Sequence, residues 1–382
     1  MTRVMLNGIN VLGAGGQAVV GSVVPCIAGV APDITFDLVL PADQGYEYWH
    51  STQNLNIHLM KRPANRFLGR FADIYLDISR WSREFNSDMC FTLGDLGPIH
   101  LKIPQIVLLH QSLLVYRNSD FEQLWTTTER WKFRYTRWHF GRMAPHCAAI
   151  TVQTPVMAKR LHQTYNIPMD KIHVVSSALP AHLRTATGEI QPNAQMMAVN
   201  KPYRLLFLAA GYEHKNHCIL PALAETLRQR GLANKVHVFV TLDPTVRSYE
   251  RDLLARLKPY ADCVTNLGRL PSDQVSAAYR AASALFMPTL VESFGLIYLE
   301  AMAHGCPILT SNRDFARWMC GDLAFYFEPT SPVSIADAVE RFVTEGAPAQ
   351  YAELAARRLA DFPTSWEPVA RHYVEILRQC VA

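Results

Sequence analysis

Short apolar or β-branched runs recur along this chain, each followed by a longer stretch with helical spacing. Strands are expected at Val4–Ile9, Phe36–Leu40, Met89–Thr92, Gln105–Leu109, Ala149–Gln153 and Ile172–Ser176. A second set is expected at Arg204–Ala209, Val236–Val240, Cys263–Asn266, Ala284–Met287, Pro307–Leu309 and Leu323–Phe327. Most of these runs are continuously apolar rather than alternating, so both faces of each strand are covered, as in a parallel sheet. Alternation of strand and helix then means right-handed βαβ units and doubly wound sheets.

The pattern breaks once, at Thr185–Pro202, which lacks periodicity and carries Gly188, Pro192 and Pro202. About six strands fall on each side. With 382 residues, two domains are the natural division. The expected architecture is α/β: two Rossmann-like, doubly wound parallel-sheet domains facing a cleft. The expected boundaries are 1–185, 203–363 and a C-terminal helix over 364–382. Within that tail, Trp366, Val369, Tyr373, Ile376 and Leu377 share one helical face. Ligands of open parallel sheets bind at the carboxyl ends of the strands, so the loops after the strands are where function is sought.

Composition removes several classes. Apolar residues make up 49% and charged residues 18%, which excludes intrinsic disorder. The eight cysteines are scattered, with no C-x-x-C pair, so neither a zinc knuckle nor a thiol redox site is expected; the usage fits a reducing cytoplasm. Net charge is +4, and the excess lies in residues 1–180, where 17 Lys and Arg stand against 13 Asp and Glu. That balance is too weak to indicate nucleic acid. Val4–Pro32 holds no charge, but Asn7, Asn10, Gln17 and several glycines interrupt it. It reads as strand, turn and buried helix rather than a leader or membrane span.

Pro288–Pro307 (PTLVESFGLIYLEAMAHGCP) carries the most information. After the strand, Glu292 lies in a loop, Ser293 is placed to cap a helix, and Phe294 onward reads as helical to about Gly305. The free N–H groups of such a helix start suit an anion. Gly295 would admit a phosphate close to the backbone. Glu300, inside the helix, can accept hydrogen bonds from sugar hydroxyls. The unit therefore has places for a diphosphate and for vicinal hydroxyls.

The order E-S-F-G-L-x-x-L-E-A-M-A-x-G-x-P, with Glu292 and Glu300 in an E-x7-E spacing, closely resembles retaining glycosyltransferases of family 4, which have the GT-B fold. The resemblance is to the type that builds bacterial cell-surface polysaccharide. Asn266–Ala282 resembles the family's nucleotide-base loop and following helix. Thr151–Leu161 is similar to its last N-terminal helical unit, and Thr364–Glu367 to the start of its returning C-terminal helix. The resemblance is strong after about Gly268 and looser before Ile150. It implies transfer of a sugar from a nucleotide diphospho-sugar, GDP-mannose or a UDP-sugar, with retention of configuration. The acceptor would be a glycan or a lipid-linked molecule, and no cofactor is implied.

The same resemblance assigns residues. Glu300 would hold the ribose and Glu292 the donor sugar. Lys215 and the amides of Phe294, Gly295 and Leu296, beside Ser293, would hold the diphosphate. Gly268, Arg269 and Leu270 would meet the base, with Thr289 and Tyr212 also on the donor. The family usually has an Arg where this chain has Tyr212, and the loop Ala210–His217 is shortened; His214 or His217 is the candidate replacement cation. In the first half, His110 would reach the donor sugar, and the loop with Gly15 and Gly16, which lacks a full G-x-G-x-x-G, would close over the reacting centre. Asp95 is a further strand-end carboxylate. No D-x-D or H-E-x-x-H occurs, so no catalytic metal is expected.

Arg130–Arg142 (RWKFRYTRWHFGR) interleaves five cations with five aromatics and no acid. Lys61, Arg62, Arg66 and Arg70 form a second basic cluster. Two readings stand: a core helix with solvated arginines, or an anionic membrane surface, for an enzyme peripheral on the inner face of the plasma membrane. Rival functions are a non-catalytic nucleotide-sugar-binding subunit of a polysaccharide assembly complex, and a GT-B nucleotide-sugar hydrolase or epimerase.

Overall fold

The structure is a computed structural model that describes residues 2–11, 14–42, 45–61, 76–117, 119–179 and 191–381. The chain divides into two units: Met1–Arg117, Thr127–Ala178 and Pro363–Ala382 form one, and Asn118–Thr126 with Leu179–Phe362 form the other.

The first unit is built on a seven-stranded sheet: β1 (Thr2–Asn7), β2 (Ile34–Pro41), β3 (Leu55–Met60), β4 (Met89–Thr92), β5 (Gln105–Leu108), β6 (Ala149–Val152) and β7 (Ile172–Val174). Their spatial order is β3-β2-β1-β4-β5-β6-β7, with every pairing parallel. Its described helices include α1 (Ala14–Val30), α2 (Ile78–Glu84), α3 (Thr127–Met143) and α4 (Pro155–Tyr165). The second unit holds β8 (Tyr203–Phe207), β9 (Val236–Val240), β10 (Val264–Asn266), β11 (Ala284–Met287), β12 (Ile308–Ser311) and β13 (Ala324–Phe327). These form a parallel sheet in the order β10-β9-β8-β11-β12-β13. Its helices include α5 (Leu220–Gln229), α6 (Ser248–Leu257), α7 (Ser272–Ala281), α8 (Leu296–Ala303), α9 (Asp314–Cys320), α10 (Pro332–Glu345) and α11 (Tyr351–Leu359). The last helix, α12 (Trp366–Val381), belongs to the first unit.

β3 has no counterpart among the expected strands, so the first sheet has seven strands rather than six. Its sequence, LNIHLM, alternates apolar and polar residues because it is an edge strand. Asn56 Nδ2 and His58 Nε2 both lie 3.0 Å from Asp37 Oδ1 on β2. Arg3 Nε donates to Asp37 Oδ2 at 2.6 Å. Burial pulls the Asp37 carboxyl upward, but the hydrogen bonds from Arg3, His58 and Asn56 outweigh it and hold it below the usual range.

The strands' near-continuous apolar content is explained by the layers on them. Val4, Leu6, Phe36, Leu38 and Phe91 pack with Val20, Val23 and Ile27 of α1 and with Val369, Tyr373 and Leu377 of α12. Met5, Val39 and Cys90, one residue out of phase, meet Ile78 and Trp81 of α2. The returning helix thus closes a core begun more than 300 residues earlier in the chain.

The stretch 191–202 contains one turn of helix, Ala194–Met197, capped by Asn193, whose side chain accepts from the Met196 amide at 3.0 Å. The earlier part of the expected linker, residues 185–190, lies outside the described residues.

Candidate functional site

In both sheets the strand order reverses once, between β1 and β4 and between β8 and β11. At such a switch point the loops leaving neighbouring strands diverge and open a crevice at their carboxyl ends. In the second unit those loops are the ones that carry Lys215 and Glu292.

After β8 the backbone makes a short 3₁₀ turn, Glu213–Lys215, and Asn216 follows at φ +66°. Asn216 tolerates this left-handed position and its amide donates to the carbonyls of Pro288 (3.1 Å) and Pro329 (2.8 Å). The His214 carbonyl accepts from the Leu290 amide at 2.8 Å and from Thr289 Oγ1 at 3.2 Å. Ser311 Oγ holds the Thr289 carbonyl from β12 at 2.5 Å. The two loops are thus stitched together through backbone atoms. Across them Lys215 Nζ donates to Glu292 Oε1, with both side chains largely buried, 17% and 13% exposed.

The helix start differs from the sequence reading. Ser293 and Phe294 remain in the loop; the cap is Gly295, at φ +83°, and α8 begins at Leu296. The physical reason is local. A left-handed residue ends the loop, and the Tyr298 ring lies beneath it, where a Cβ on residue 295 would come within 2.6 Å. Glycine is required twice over, by its φ and by the close approach. Phe294 is turned into an aromatic cluster with Trp318 and Phe362, at centroid distances of 6.5 and 5.9 Å.

Glu300 sits one turn before the end of α8. The Tyr279 hydroxyl of α7 lies 3.3 Å from Glu300 Oε2 and 3.1 Å from the Ile297 carbonyl. Burial pushes the Glu300 carboxyl up to about 7, against the opposing hydrogen bond from Tyr279. His304 stacks on Tyr279 at 4.7 Å, and its Nδ1 lies 2.8 Å from the Glu300 carbonyl. Tyr279 and His304 were not singled out in the sequence; their signal, an aromatic and an imidazole at helical spacing, is that of ordinary packing.

The base-loop residues follow β10. Gly268 takes φ +73°, and its amide donates to Asn266 Oδ1 at 3.2 Å. Asn266 also bonds both the amide (2.9 Å) and carbonyl (3.0 Å) of Leu242, which fixes this loop to the one after β9. Arg269 is exposed and Leu270 half-buried beside it.

His214 and His217, the candidate replacement cations, are both set where the charged imidazolium is disfavoured. Burial, followed by the nearby charges of Lys215 and Arg247, drives the His214 imidazolium well below its usual range. Burial, with Lys215, brings His217 to about 3, stacked flat on Phe207 at 4.0 Å. The guanidinium at this place comes from another loop. Arg247, the cap of α6, lies over the Tyr212 ring at 4.7 Å and donates to the Gly211 carbonyl (3.2 Å) and Glu213 Oε1 (3.3 Å). Sequence spacing could not show this, because Arg247 reaches Tyr212 only through the β8–β9 pairing.

In the first unit, the loops after β4, β5 and β6 meet around His110. Asp95, at φ +64°, accepts the amides of His110 (2.7 Å) and Gln111 (2.8 Å) on one oxygen, Oδ1. Burial lowers the His110 imidazolium, and Asp95 opposes the shift. Gln153 Nε2 hydrogen-bonds His110 Nδ1. Gly15 and Gly16 fall in the first turn of α1 rather than in a loop; at residue 16 a Cβ would stand 3.1 Å from Val11. Gly13 lies outside the described residues, as do Arg62, Arg66 and Arg70.

The basic aromatic segment is helix α3, and its aromatics divide. His139, Phe140 and Met143 point inward with Thr136. Trp131, Tyr135 and Trp138 form an outer stripe, exposed by 64%, 38% and 55%. Arg130, Lys132, Arg134 and Arg142 are exposed alongside them, whereas Arg137 turns in to the carbonyls of Leu113 (3.0 Å) and Tyr116 (2.8 Å). Among the described residues, no helix is long and apolar enough to cross a membrane.

Two parallel α/β units with these strand orders are the GT-B architecture, and solved structures bear this out over nearly the whole chain. Sucrose-phosphate synthase from Thermosynechococcus elongatus superposes with a TM-score of 0.72 at 15% identity, covering 99% of each chain. HepE of Anabaena, in complex with UDP and glucose, gives 0.69 at 15% identity, covering 99% of this chain and 100% of that one. Residues 193–358 match the family model of glycosyl transferases group 1, so the second unit carries a domain of that group. Among curated relatives, D-inositol 3-phosphate glycosyltransferase of Salinispora tropica is 26% identical over 251 residues, 61% of this chain and 51% of its own length. Its counterpart from Streptomyces avermitilis is 38% identical over 112 residues, 29% of this chain and 20% of its own. The chain spans about half the length of the first of these relatives, and less of the second.

Proposed function

We propose that this protein is a retaining glycosyltransferase that moves a sugar from a nucleotide diphospho-sugar to a glycan or lipid-linked acceptor. The observation that carries this reading is the meeting of Lys215 and Glu292 at the switch point between β8 and β11, with Glu300 and Tyr279 one helix away. A diphosphate needs cations and free amides. Lys215, together with Arg247 on Tyr212, supplies the first, and the backbone of Ser293, Phe294, Gly295 and Leu296 the second. Glu300 takes the ribose hydroxyls, Glu292 the donor sugar, and the turn Gly268–Leu270 the base, with Thr289 holding the loops in register. The second unit is then the donor domain, and the first, with His110, Gly15 and Gly16, serves the acceptor and the transferred sugar.

The reaction in this reading needs no protein nucleophile. The acceptor hydroxyl attacks the anomeric carbon from the face that the leaving group vacates. The bond from that carbon to the phosphate oxygen breaks, and the acceptor proton passes to the departing diphosphate. Lys215 stabilises the charge that develops there, in the place where a divalent ion serves other transferases. The UDP bound by the structural neighbour HepE favours a UDP-sugar, with GDP-mannose as the other candidate donor. A role in surface polysaccharide and a place at the inner face of the plasma membrane rest on the α3 stripe and on the motif's resemblance.

The test is incubation with UDP- and GDP-sugars and a lipid-linked acceptor extract, followed by mass spectrometry of the products. A mass increase of one glycosyl residue on the acceptor supports the proposal. Release of free sugar or an isomerised donor would identify a hydrolase or epimerase, and nucleotide-sugar binding without turnover a non-catalytic subunit.

A further inference from the structure

Glu250 stands in the first turn of α6 and is 3% exposed. Each of its carboxylate oxygens accepts a backbone amide from a different loop. Oε1 takes the Gly211 amide at 3.2 Å, in the loop after β8, and Oε2 takes the Asp243 amide at 2.5 Å, in the loop after β9. Burying a carboxylate is costly unless its oxygens are hydrogen-bonded. This one is met by the backbone of two loops that leave paired neighbouring strands at their carboxyl ends. The first of those loops leads directly to Lys215.

The same helix start holds the other side of Gly211. Arg247, the cap of α6, donates to the Gly211 carbonyl at 3.2 Å while Glu250 takes the amide, so one residue is gripped at both its N–H and its C=O. The second Arg247 nitrogen reaches Glu213 Oε1 at 3.3 Å. A Cβ on residue 211 would come within 2.2 Å of Glu250 Cγ, so this close approach requires glycine. On the far side, Asp243 Oδ1 accepts the Thr245 hydroxyl at 2.6 Å and the Thr245 amide at 3.0 Å. Those bonds hold the Asp243 carboxyl below the usual range, with a smaller effect from the charge of Arg269 in the base loop. Leu242, the residue before Asp243, is bonded to Asn266 ahead of Gly268. The loops after β8, β9 and β10 thus form one connected frame, and the Glu250 carboxylate joins the first to the second.

We propose that Glu250 is a positioning residue for nucleoside diphosphate binding: by taking the Gly211 and Asp243 amides on separate oxygens, it fixes the loop that carries Lys215 against the loop that braces the base turn, and so sets the distance between the places for diphosphate and base. Glu250 touches no ligand itself and acts through Lys215. The role in donor binding rests on the glycosyltransferase reading; the bracing of the two loops does not. The chemistry of the joint is specific to a carboxylate. Both of its oxygens are needed as acceptors. A glutamine side chain has one acceptor and one donor, so in either orientation it turns an NH₂ toward a backbone N–H. Glu250→Gln therefore keeps the volume and breaks one of the two bonds. Gly211→Ala strains the same joint from the facing side.

The experiment has two independent arms, both on the full chain. The first is amide hydrogen exchange without ligand, read by mass spectrometry on peptides that contain Gly211 or Asp243. Both amides are expected to be protected. In Glu250→Gln at least one should exchange roughly tenfold faster or more, while the strand amides of β8 and β9 keep their rates, because the opening is local. No protection in the unaltered protein, or equal acceleration across the whole sheet, overturns the brace. The second arm is calorimetry with UDP and GDP against UMP and GMP. Glu250→Gln should weaken the diphosphates about tenfold and leave the monophosphates nearly unchanged, a split that a general loss of stability does not produce. Gly211→Ala should give the same split, and it carries the test if the glutamine variant does not fold. In a Lys215→Ala background, Glu250→Gln should cost UDP little more, since residues that act as one unit are not additive. Equal losses for mono- and diphosphates, or fully additive losses with Lys215→Ala, overturn the positioning role. If the unaltered protein binds no nucleotide, the glycosyltransferase reading fails and with it the part of Glu250 in donor binding, while the exchange arm still decides whether Glu250 holds the two loops.

Discussion

The Lys215 ammonium and the Glu292 carboxylate close on each other across the β8–β11 switch point, each satisfying a charge that the other loop buries. A ligand that takes Lys215 must therefore compete with Glu292, and a diphosphate, with its greater charge, is suited to do so. Lys215→Ala is expected to lower kcat by roughly 10²–10³, more than it lowers donor affinity, because the leaving group is more negative in the transition state than in the bound donor. It also leaves Glu292 without its partner, at about 2–3 kcal/mol of stability in the empty protein. Steady-state kinetics and thermal unfolding measure the two effects, and unchanged kcat would make this a purely structural pair.

The second positive group is expected to be a guanidinium rather than an imidazolium. His214 and His217 are held neutral by burial and by Lys215, so activity from pH 6 to 8 should show no titration that His214→Ala or His217→Ala removes. Arg247→Ala, which bares Tyr212, should weaken UDP and GDP binding by about 1.5–3 kcal/mol, the usual worth of a hydrogen bond to a charged group. A kcat profile that loses a pKa near 6.5 in either histidine variant would reverse this assignment.

Glu300 gives a pH dependence with a definite sign. Its folded pKa of about 7 lies above the ordinary 4.5, so the native state keeps a proton that the unfolded chain has released. This contribution is present below pH 4.5 and is lost as pH rises through 7. Ribose hydroxyls donate to the ionised carboxylate, so nucleotide binding should tighten as pH rises through 7 and release a proton below it. Calorimetry in buffers of differing ionisation enthalpy reads this directly. Glu300→Gln should abolish the proton release and cost at least tenfold in affinity. Proton release that persists in Glu300→Gln would place the titrating group elsewhere.

How much of this was legible beforehand follows from what each feature depends on. Parallel strands buried on both faces announce themselves as apolar runs, and twelve of the described strands overlap the runs expected from the sequence. β3 carries no such run because an edge strand alternates, and its polar half, Asn56 and His58, makes sense only opposite Asp37. The E-x7-E segment was legible because strand, loop and helix are contiguous in sequence. Ser293 reads as the helix cap because hydroxyl capping is the common device, whereas the Tyr298 ring below demands glycine at 295, which takes the cap position. Arg247, Tyr279 and Gln153 were invisible for one reason: each acts on a residue brought near by strand order, not by chain distance.

The outer stripe of α3 carries the membrane part of the proposal. Binding to vesicles containing anionic lipid is expected, falling steeply with added salt, at about 1 kcal/mol per Lys or Arg near the surface. Trp131→Ala with Trp138→Ala removes two exposed aromatics and should reduce partitioning by about tenfold or more without lowering the melting temperature. Co-sedimentation with neutral and anionic vesicles checks it; equal binding of the double variant would leave the stripe without a role at membranes.

Gly295 offers the sharpest test of how the motif is built. Its φ of +83° is a region that a side chain enters at a cost of about 1–2 kcal/mol. Its Cβ position is filled by Tyr298, 2.6 Å away, a fully buried ring anchored by its hydroxyl to Thr310 at 2.8 Å. The ring cannot retreat, so the backbone must move, and it is the backbone between Glu292 and α8 that would shift. Gly295→Ala is therefore expected to lose about 2–4 kcal/mol of stability and to lose nucleotide binding beyond what the stability loss explains. Gly305, also at positive φ but with its nearest Cβ neighbour 3.8 Å away, is the control: Gly305→Ala should share the φ cost and keep nucleotide affinity. If both variants bind UDP and GDP like the unaltered protein, the amides at the start of α8 do not hold the diphosphate.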